Sequence, residues 1–246
     1  MKQQPIIAIK NLHKSFGKNK VLRGINLMVN KGEDLVILGR SGSGKSVTIE
    51  CLVGLLEADR GKIEVFGIDI TKLNYNELNK IRLRIGFLFQ KGALYDSMSV
   101  RENLAFTLKH HTRHLSEEEV EKQINEALES VGLKEAIDKM PSELSGGMVK
   151  RIGLARTLII KPEIILYDEP TAGLDTITAK EISELILSVQ KKYKTTALII
   201  THDITCAKMT GNRIMIIKDG LIHAEGTFNE LKNSSDAWVR SFFEYD

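Results

Sequence analysis

Long apolar runs are missing from this sequence: no uninterrupted stretch exceeds four residues in 246 positions. A membrane-spanning helix needs about 20 such residues and a signal peptide about 7–15. No helical span is therefore expected, and the chain would meet a membrane only at its surface. Cysteine is scarce as well. Cys51 and Cys206 lack the paired spacing of zinc or redox sites, which points to a reducing compartment and to two small core residues. With four prolines, no low-complexity tract and no internal repeat there is no obvious linker, so one compact unit with subdomains is expected. Charge of one sign is also lacking: a net +3 gives no reason to expect nucleic acid. What is there, 42% apolar and 27% charged residues, is the composition of a folded protein with a sizeable core.

Short apolar runs of strand length recur: "LVIL" (35–38), "FLF" (87–89), "IILY" (164–167), "ALII" (197–200) and "IMII" (214–217). Unbroken rather than alternating apolarity suits strands covered on both faces, as in a parallel sheet between helices. Helix-like segments follow several of them, so the fold class is α/β. "IIAIKNL", "GINLMVNKG" and "GKIEVFG" read instead as short antiparallel strands around turns, a β-rich flank on that core. From about 91 to 160 the character turns helical. There "SEEEVEKQINEALESVGL" spaces Val120, Ile124, Ala127, Leu128 and Val131 for one helix face, with Ser116 as its N-cap.

"LVILGRSGSGKSVTIE" sets Gly39, Gly44, Lys45 and Ser46 in the pattern G-x-x-x-x-G-K-[ST], directly after a buried-strand run and before a helix. Glycines let main-chain amides curl around a phosphate, and the helix N-terminus adds partial positive charge. The loop Gly39, Arg40, Ser41, Gly42, Ser43, Gly44 through Val47 is thus a candidate nucleotide site, Lys45 reaching the outer phosphates and Ser46 offering its hydroxyl to Mg²⁺. "IILYDEP" ends a second buried strand in two carboxylates, at the strand edge where such sheets bind ligands. If the two strands are neighbours, Asp168 is placed to serve Mg²⁺ and Glu169, one residue on, to polarise an attacking water.

The order of the phosphate loop, Gln90, "LSGGM", "ILYDEP", "GLD" and "THD" resembles the nucleotide-binding subunit of ABC transporters over nearly the whole chain. That resemblance implies a P-loop NTPase (RecA-like) core with an antiparallel β subdomain and an inserted helical signature subdomain. It further implies an ATPase that uses ATP and Mg²⁺ and pairs head to tail with a second copy of itself. Ser145, Gly146 and Gly147 would then open a helix aimed at the γ-phosphate held by the other copy, bare main chain being needed for close approach. Standing alone, "SGG" could equally be a helix start with Ser145 as N-cap. By the same resemblance Gln90 contacts Mg²⁺ and the attacking water and borders the membrane subunit, and His202 touches the γ-phosphate and orients the catalytic acid. Asp175 links the two sites across the dimer, and Phe16 stacks on adenine.

Within the family, Met148 stands where most members have glutamine, and it cannot donate a hydrogen bond. Together with "LFQKGALYDSMSVRENLAF", "GLDTIT" and "DAWVRSFFEYD" it makes the chain similar to the ATPases of Mla/Mce lipid-transport systems. That similarity implies phospholipid transport between bacterial membranes, a permease dimer as partner, a periplasmic lipid-binding MCE protein reached through it, and a place on the cytoplasmic face of the inner membrane. Another ABC transporter subunit, for amino-acid import or lipoprotein export, and a soluble ABC protein are the alternatives. His110, His111 and His114 read as solvated surface rather than a metal site, and Trp238, Phe242 and Phe243 as packing residues.

Overall fold

The computed structural model describes residues 4–112 and 115–244; His114 lies outside them. Its centre is a six-stranded sheet in the order β10-β9-β3-β8-β7-β6. The strands are β3 (Asp34–Gly39), β6 (Ile85–Leu88), β7 (Ile164–Asp168), β8 (Thr196–Thr201), β9 (Arg213–Lys218) and β10 (Leu221–Gly226). Five run parallel, and β10 pairs antiparallel with β9 at the edge. The unbroken apolar runs have a direct explanation: successive residues serve two different cores. Val36, Leu38, Ile165 and Tyr167 enter one, whereas Leu35, Ile37, Ile164 and Leu166 enter the other. At "FLF" the strand lies two residues earlier than the apolar run, spanning Ile85–Leu88 and leaving Phe89 exposed.

The second core is closed by a four-stranded antiparallel sheet, order β2-β1-β4-β5, made of β1 (Ile7–Phe16), β2 (Asn19–Val29), β4 (Arg60–Val65) and β5 (Ile68–Asp69). This is the expected β flank, and α1 (Lys45–Leu52) and α2 (Tyr75–Arg82) lie against the same core.

The first core extends into the helical part, α3 (Val100–His111), α4 (Glu117–Ser130) and α5 (Gly146–Leu158). Capping boxes at Ser99/Glu102 and Ser116/Glu119 fix where α3 and α4 start. Val120, Ile124, Ala127 and Leu128 of α4 are buried as their spacing predicts. His110 is exposed as expected, its ring packed edge-on against Phe106 with centroids 4.3 Å apart, whereas His111 is only part-exposed. Among the described residues there is no cluster of three potential metal ligands and no helix long and apolar enough to cross a membrane.

α6 (Thr176–Tyr193) and α7 (Ile204–Thr210) cover the sheet, while α8 (Phe228–Lys232) and α9 (Ala237–Arg240) close the C-terminal end. Phe243 is buried against Phe228, and Trp238 packs between His223 and Phe242. These aromatics fold back on their own chain. Cys51 and Cys206 are both buried free thiols, as expected.

Candidate nucleotide site

The phosphate loop leaves β3 at Gly39 and enters α1 at Lys45. At two of its glycines there is no room for a side chain. Gly44, the residue before α1, sits at φ 102°, and a Cβ there would lie 2.6 Å from Leu22. At Gly39 a Cβ would lie 2.6 Å from Ser43 Oγ and 2.8 Å from the carbonyl of Ile217. The loop thus presents main chain on its open side, and the buried Ser43 hydroxyl has no partner of its own.

The strands carrying the loop and the two carboxylates are not neighbours, because β8 lies between β3 and β7. Contact is made all the same, since the start of α1 spans the intervening strand: Ser46 Oγ donates to Asp168 Oδ1 at 3.0 Å. Lys45, 7% exposed, donates to the carbonyls of Gly39 (2.8 Å) and Arg40 (3.2 Å), and its Nζ is 3.8 Å from Glu169 Oε1. Burial holds Lys45 below the usual lysine range, opposed by Glu169 and Asp168. Burial likewise raises Asp168, against the hydrogen bond from Ser46 and the charge of Lys45.

At Glu169 the main chain turns out of the strand with φ 48°, an uncommon conformation for a side-chain-bearing residue. That turn separates its carboxylate from Asp168. The other oxygen, Oε2, meets His202 Nδ1 at 2.7 Å and accepts from the His202 amide at 3.2 Å. His202 itself is reached from the end of β8, and its side chain stays 66% exposed.

A cavity of about 710 Å³ is lined by Gly39–Gly42, Gly44–Val47, Gln90, Glu169 and His202, so four parts of the chain far apart in sequence converge on one space. Sequence reasoning missed three further wall residues: Asn19, Val21 and Phe242. Phe16 does not line the cavity; it is 48% exposed and pairs across the β1–β2 hairpin with Asn19, which does.

Ser145–Gly147 and Asp175 also lie outside the cavity of this single chain, and Ser145, Gly147 and Asp175 each have a local structural task. Ser145 caps α5, its Oγ accepting from Met148 N at 3.3 Å. Gly147 faces α6, where a Cβ would come within 2.6 Å of Thr178 Cγ2. A Cβ on the exposed Gly146, in contrast, would meet only Leu174 at 3.4 Å, an ordinary contact. Asp175 caps α6, accepting from Ile177 N and Thr178 N at 3.0 Å and from Thr178 Oγ1 at 2.7 Å. These bonds pull its carboxyl below the usual range.

A strand-loop-helix with a buried lysine, facing a carboxylate pair across one strand, is the arrangement expected of a site for a nucleoside triphosphate. Comparison with known proteins agrees. Residues 22–172 match the model of the ABC transporter family, and the chain belongs to that family as an ABC-type ATPase domain. It is similar to the probable ribonucleotide transport ATP-binding protein mkl of Mycobacterium leprae, 41% identical over 96% of this chain and 68% of the relative. The chain thus spans about two thirds of that mycobacterial protein. It is also similar to the intermembrane phospholipid transport system ATP-binding protein MlaF of Haemophilus influenzae, 37% identical over 98% of this chain and 91% of the relative. Among solved structures, the ATP-binding cassette MJ0796, dimeric in a post-hydrolysis state with ADP and Pi, superposes with a TM-score of 0.83 at 34% identity, covering 90% of this chain and 98% of that one.

Proposed function

We propose that this ABC ATPase subunit powers phospholipid transport between bacterial inner and outer membranes, working as a head-to-tail pair on the cytoplasmic face of the inner membrane. The observation that carries this reading is the end-to-end similarity to the phospholipid-transport ATPase of Haemophilus influenzae, over 98% of this chain. The pair of copies is supported by the dimeric cassette structures it resembles and by Gly146, whose missing side chain nothing in its own chain requires.

In this reading Lys45 and the loop amides hold the outer phosphates, and Glu169, aimed by His202, takes the proton of the attacking water. Ser46, Asp168 and Gln90 would hold Mg²⁺, for which a hydroxyl, a carboxylate and an amide oxygen are suitable hard donors; the ion would offset charge on the phosphates. Phe16 stacks on adenine from the rim. Ser145–Gly147 of the second copy close over the γ-phosphate, and Asp175 lies along the seam. Binding joins the copies, and hydrolysis releases them.

An exposed groove of about 310 Å³, lined by Leu83, Phe87, Tyr95, Phe106 and Arg156 beside the Gln90 loop, supplies an apolar seat for a permease segment. The periplasmic MCE protein would be reached only through that permease. A second reading, amino-acid import, is favoured by 40% identity over 91% of this chain, though only 61% of the relative, to the methionine import ATP-binding protein MetN of Rhizobium johnstonii. Affinity capture of the chain from solubilised membranes, followed by identification of partners and bound lipids, tests the proposal. An integral membrane partner with co-purifying phospholipid is expected; an amino-acid permease with no lipid would contradict it.

A further inference from the structure

Lys150 lies one helical turn beyond Gly146 on α5 and is 5% exposed, a position where a lysine needs a specific reason to be buried. Its ammonium makes no direct ion pair among the described contacts. It donates to two main-chain carbonyls, that of Gln90 and, at 3.0 Å, that of Glu169. Those two residues come from the ends of different strands, β6 and β7, and are the ones placed above at the reacting end of the cavity. Burial holds Lys150 below the usual lysine range, and the charges of Glu169 and Asp168 oppose that shift.

The surrounding packing makes α5 and the Gln90 loop one body. A Cβ on Gly92 would lie 2.8 Å from Val149, and one on Gly153 would lie 3.1 Å from the Gly92 carbonyl. Further along the same helix, Arg156 donates to the carbonyl of Ala93. Lys150 alone among these contacts also reaches β7.

We propose that Lys150 is a positioning residue that ties the helix headed by Ser145–Gly147 to the main chain of both Gln90 and Glu169. A shift of α5, when its N-terminus engages nucleotide across the dimer, is thereby delivered to the two residues that handle the attacking water. The proposal rests on the reading of Glu169 given above. Lys150 is not among the residues that line the nucleotide cavity, so it governs the rate of hydrolysis rather than the affinity for ATP.

The test compares parent, Lys150→Met, Lys150→Arg and Glu169→Gln as full chains, measuring phosphate release against ATP concentration and equilibrium binding of a fluorescent ATP analogue. For Lys150→Met, kcat is expected to fall at least about tenfold, equivalent to about 1.4 kcal/mol, with KM and analogue affinity within about threefold of the parent. Lys150→Arg, which keeps charge and donors, should recover most of the rate. Unchanged kcat in Lys150→Met, with Glu169→Gln inactive, would overturn the coupling alone. Joint loss of analogue binding and turnover that arginine does not rescue would make Lys150 part of the fold and would also overturn it. Undiminished turnover in Glu169→Gln would remove the reading of Glu169, and the coupling with it.

Discussion

Replacing Glu169 by glutamine separates two effects that the geometry sets against each other. The substitution is close to isosteric and leaves untouched the hydrogen bond that the Glu169 main-chain N–H donates to the Ile200 carbonyl, so the strand end should hold its path. What is lost is the negative charge, 3.8 Å from Lys45 Nζ, and one of two acceptor oxygens, so that Lys45 and His202 can no longer both face an oxygen. At an effective dielectric of about 20, the Lys45 interaction amounts to roughly 4 kcal/mol before desolvation is counted. In the nucleotide-free chain Asp168 remains as partial counter-charge for Lys45. Once ATP is bound the sign reverses: a carboxylate beside the triphosphate repels it, so its removal should leave affinity unchanged or higher. Turnover behaves differently, because a positioned general base contributes about 10²–10⁴-fold, or roughly 3–5 kcal/mol of barrier. Phosphate release at saturating ATP should therefore drop by that factor while equilibrium ATP binding persists. Turnover within threefold of the parent would refute the reasoning, as would a loss of ATP affinity in step with the rate.

Other perturbations probe different parts of the account. Lys45→Ala should weaken ATP binding at least about tenfold by removing a buried cation aimed at the phosphates; titration calorimetry showing parental affinity would dismiss the phosphate-loop assignment. Gly147→Ala should cost about 1–3 kcal/mol by overpacking, because the Thr178 methyl is 2.6 Å from the new Cβ and Thr178 Oγ1 is held by Asp175. Adding Thr178→Ser, which keeps the hydroxyl and drops the methyl, should restore the melting temperature of the Gly147→Ala chain. Asp34 supplies a pH test: burial and the neighbouring Glu33 raise its carboxyl to about 7, and Oδ1 has no partner. Between about pH 4 and 7 the folded chain holds a proton that the unfolded chain releases, so this contribution to stability falls as pH rises through that window. Its ceiling is about 4 kcal/mol, which partial exposure reduces to about 2. Asp34→Asn should flatten the fall in melting temperature between pH 5 and 7.5; an unchanged pH profile would contradict the assignment.

The parallel core was legible because "LVIL", "IILY", "ALII" and "IMII" are covered on both faces, and each face belongs to a different apolar cluster. β10 was not, since an edge strand half open to solvent carries "LIHAEG", which has no unbroken apolar run. Whether the loop strand and the carboxylate strand are neighbours was not legible, because strand order is a long-range property that neither run encodes; β8 lies between them. It did not matter for the site: the first turn of α1 reaches across β8. Phe242 was read only as a packing residue because nothing local to "SFFEYD" signals that α9 turns it toward the phosphate loop. Lys150 carried a weak signal, a cation one turn past the glycine pair on a helix otherwise packed into the core, but its two acceptors are main-chain atoms and leave no mark on sequence. Ser145 and Asp175 illustrate the opposite case. Each serves as an N-cap within its own chain, a local role that is compatible with a further one across a dimer.

The most direct measurement of the central claim is a thiol cross-link between two copies. One tagged chain would carry Ser145→Cys and a differently tagged one Ser41→Cys, both on the Glu169→Gln background, with the native thiols of Cys51 and Cys206 buried and silent. A covalent heterodimer is expected to form with ATP and Mg²⁺ and to fail to form with ADP. A cross-link indifferent to nucleotide, or none under any condition in which ATP is bound, would contradict that claim.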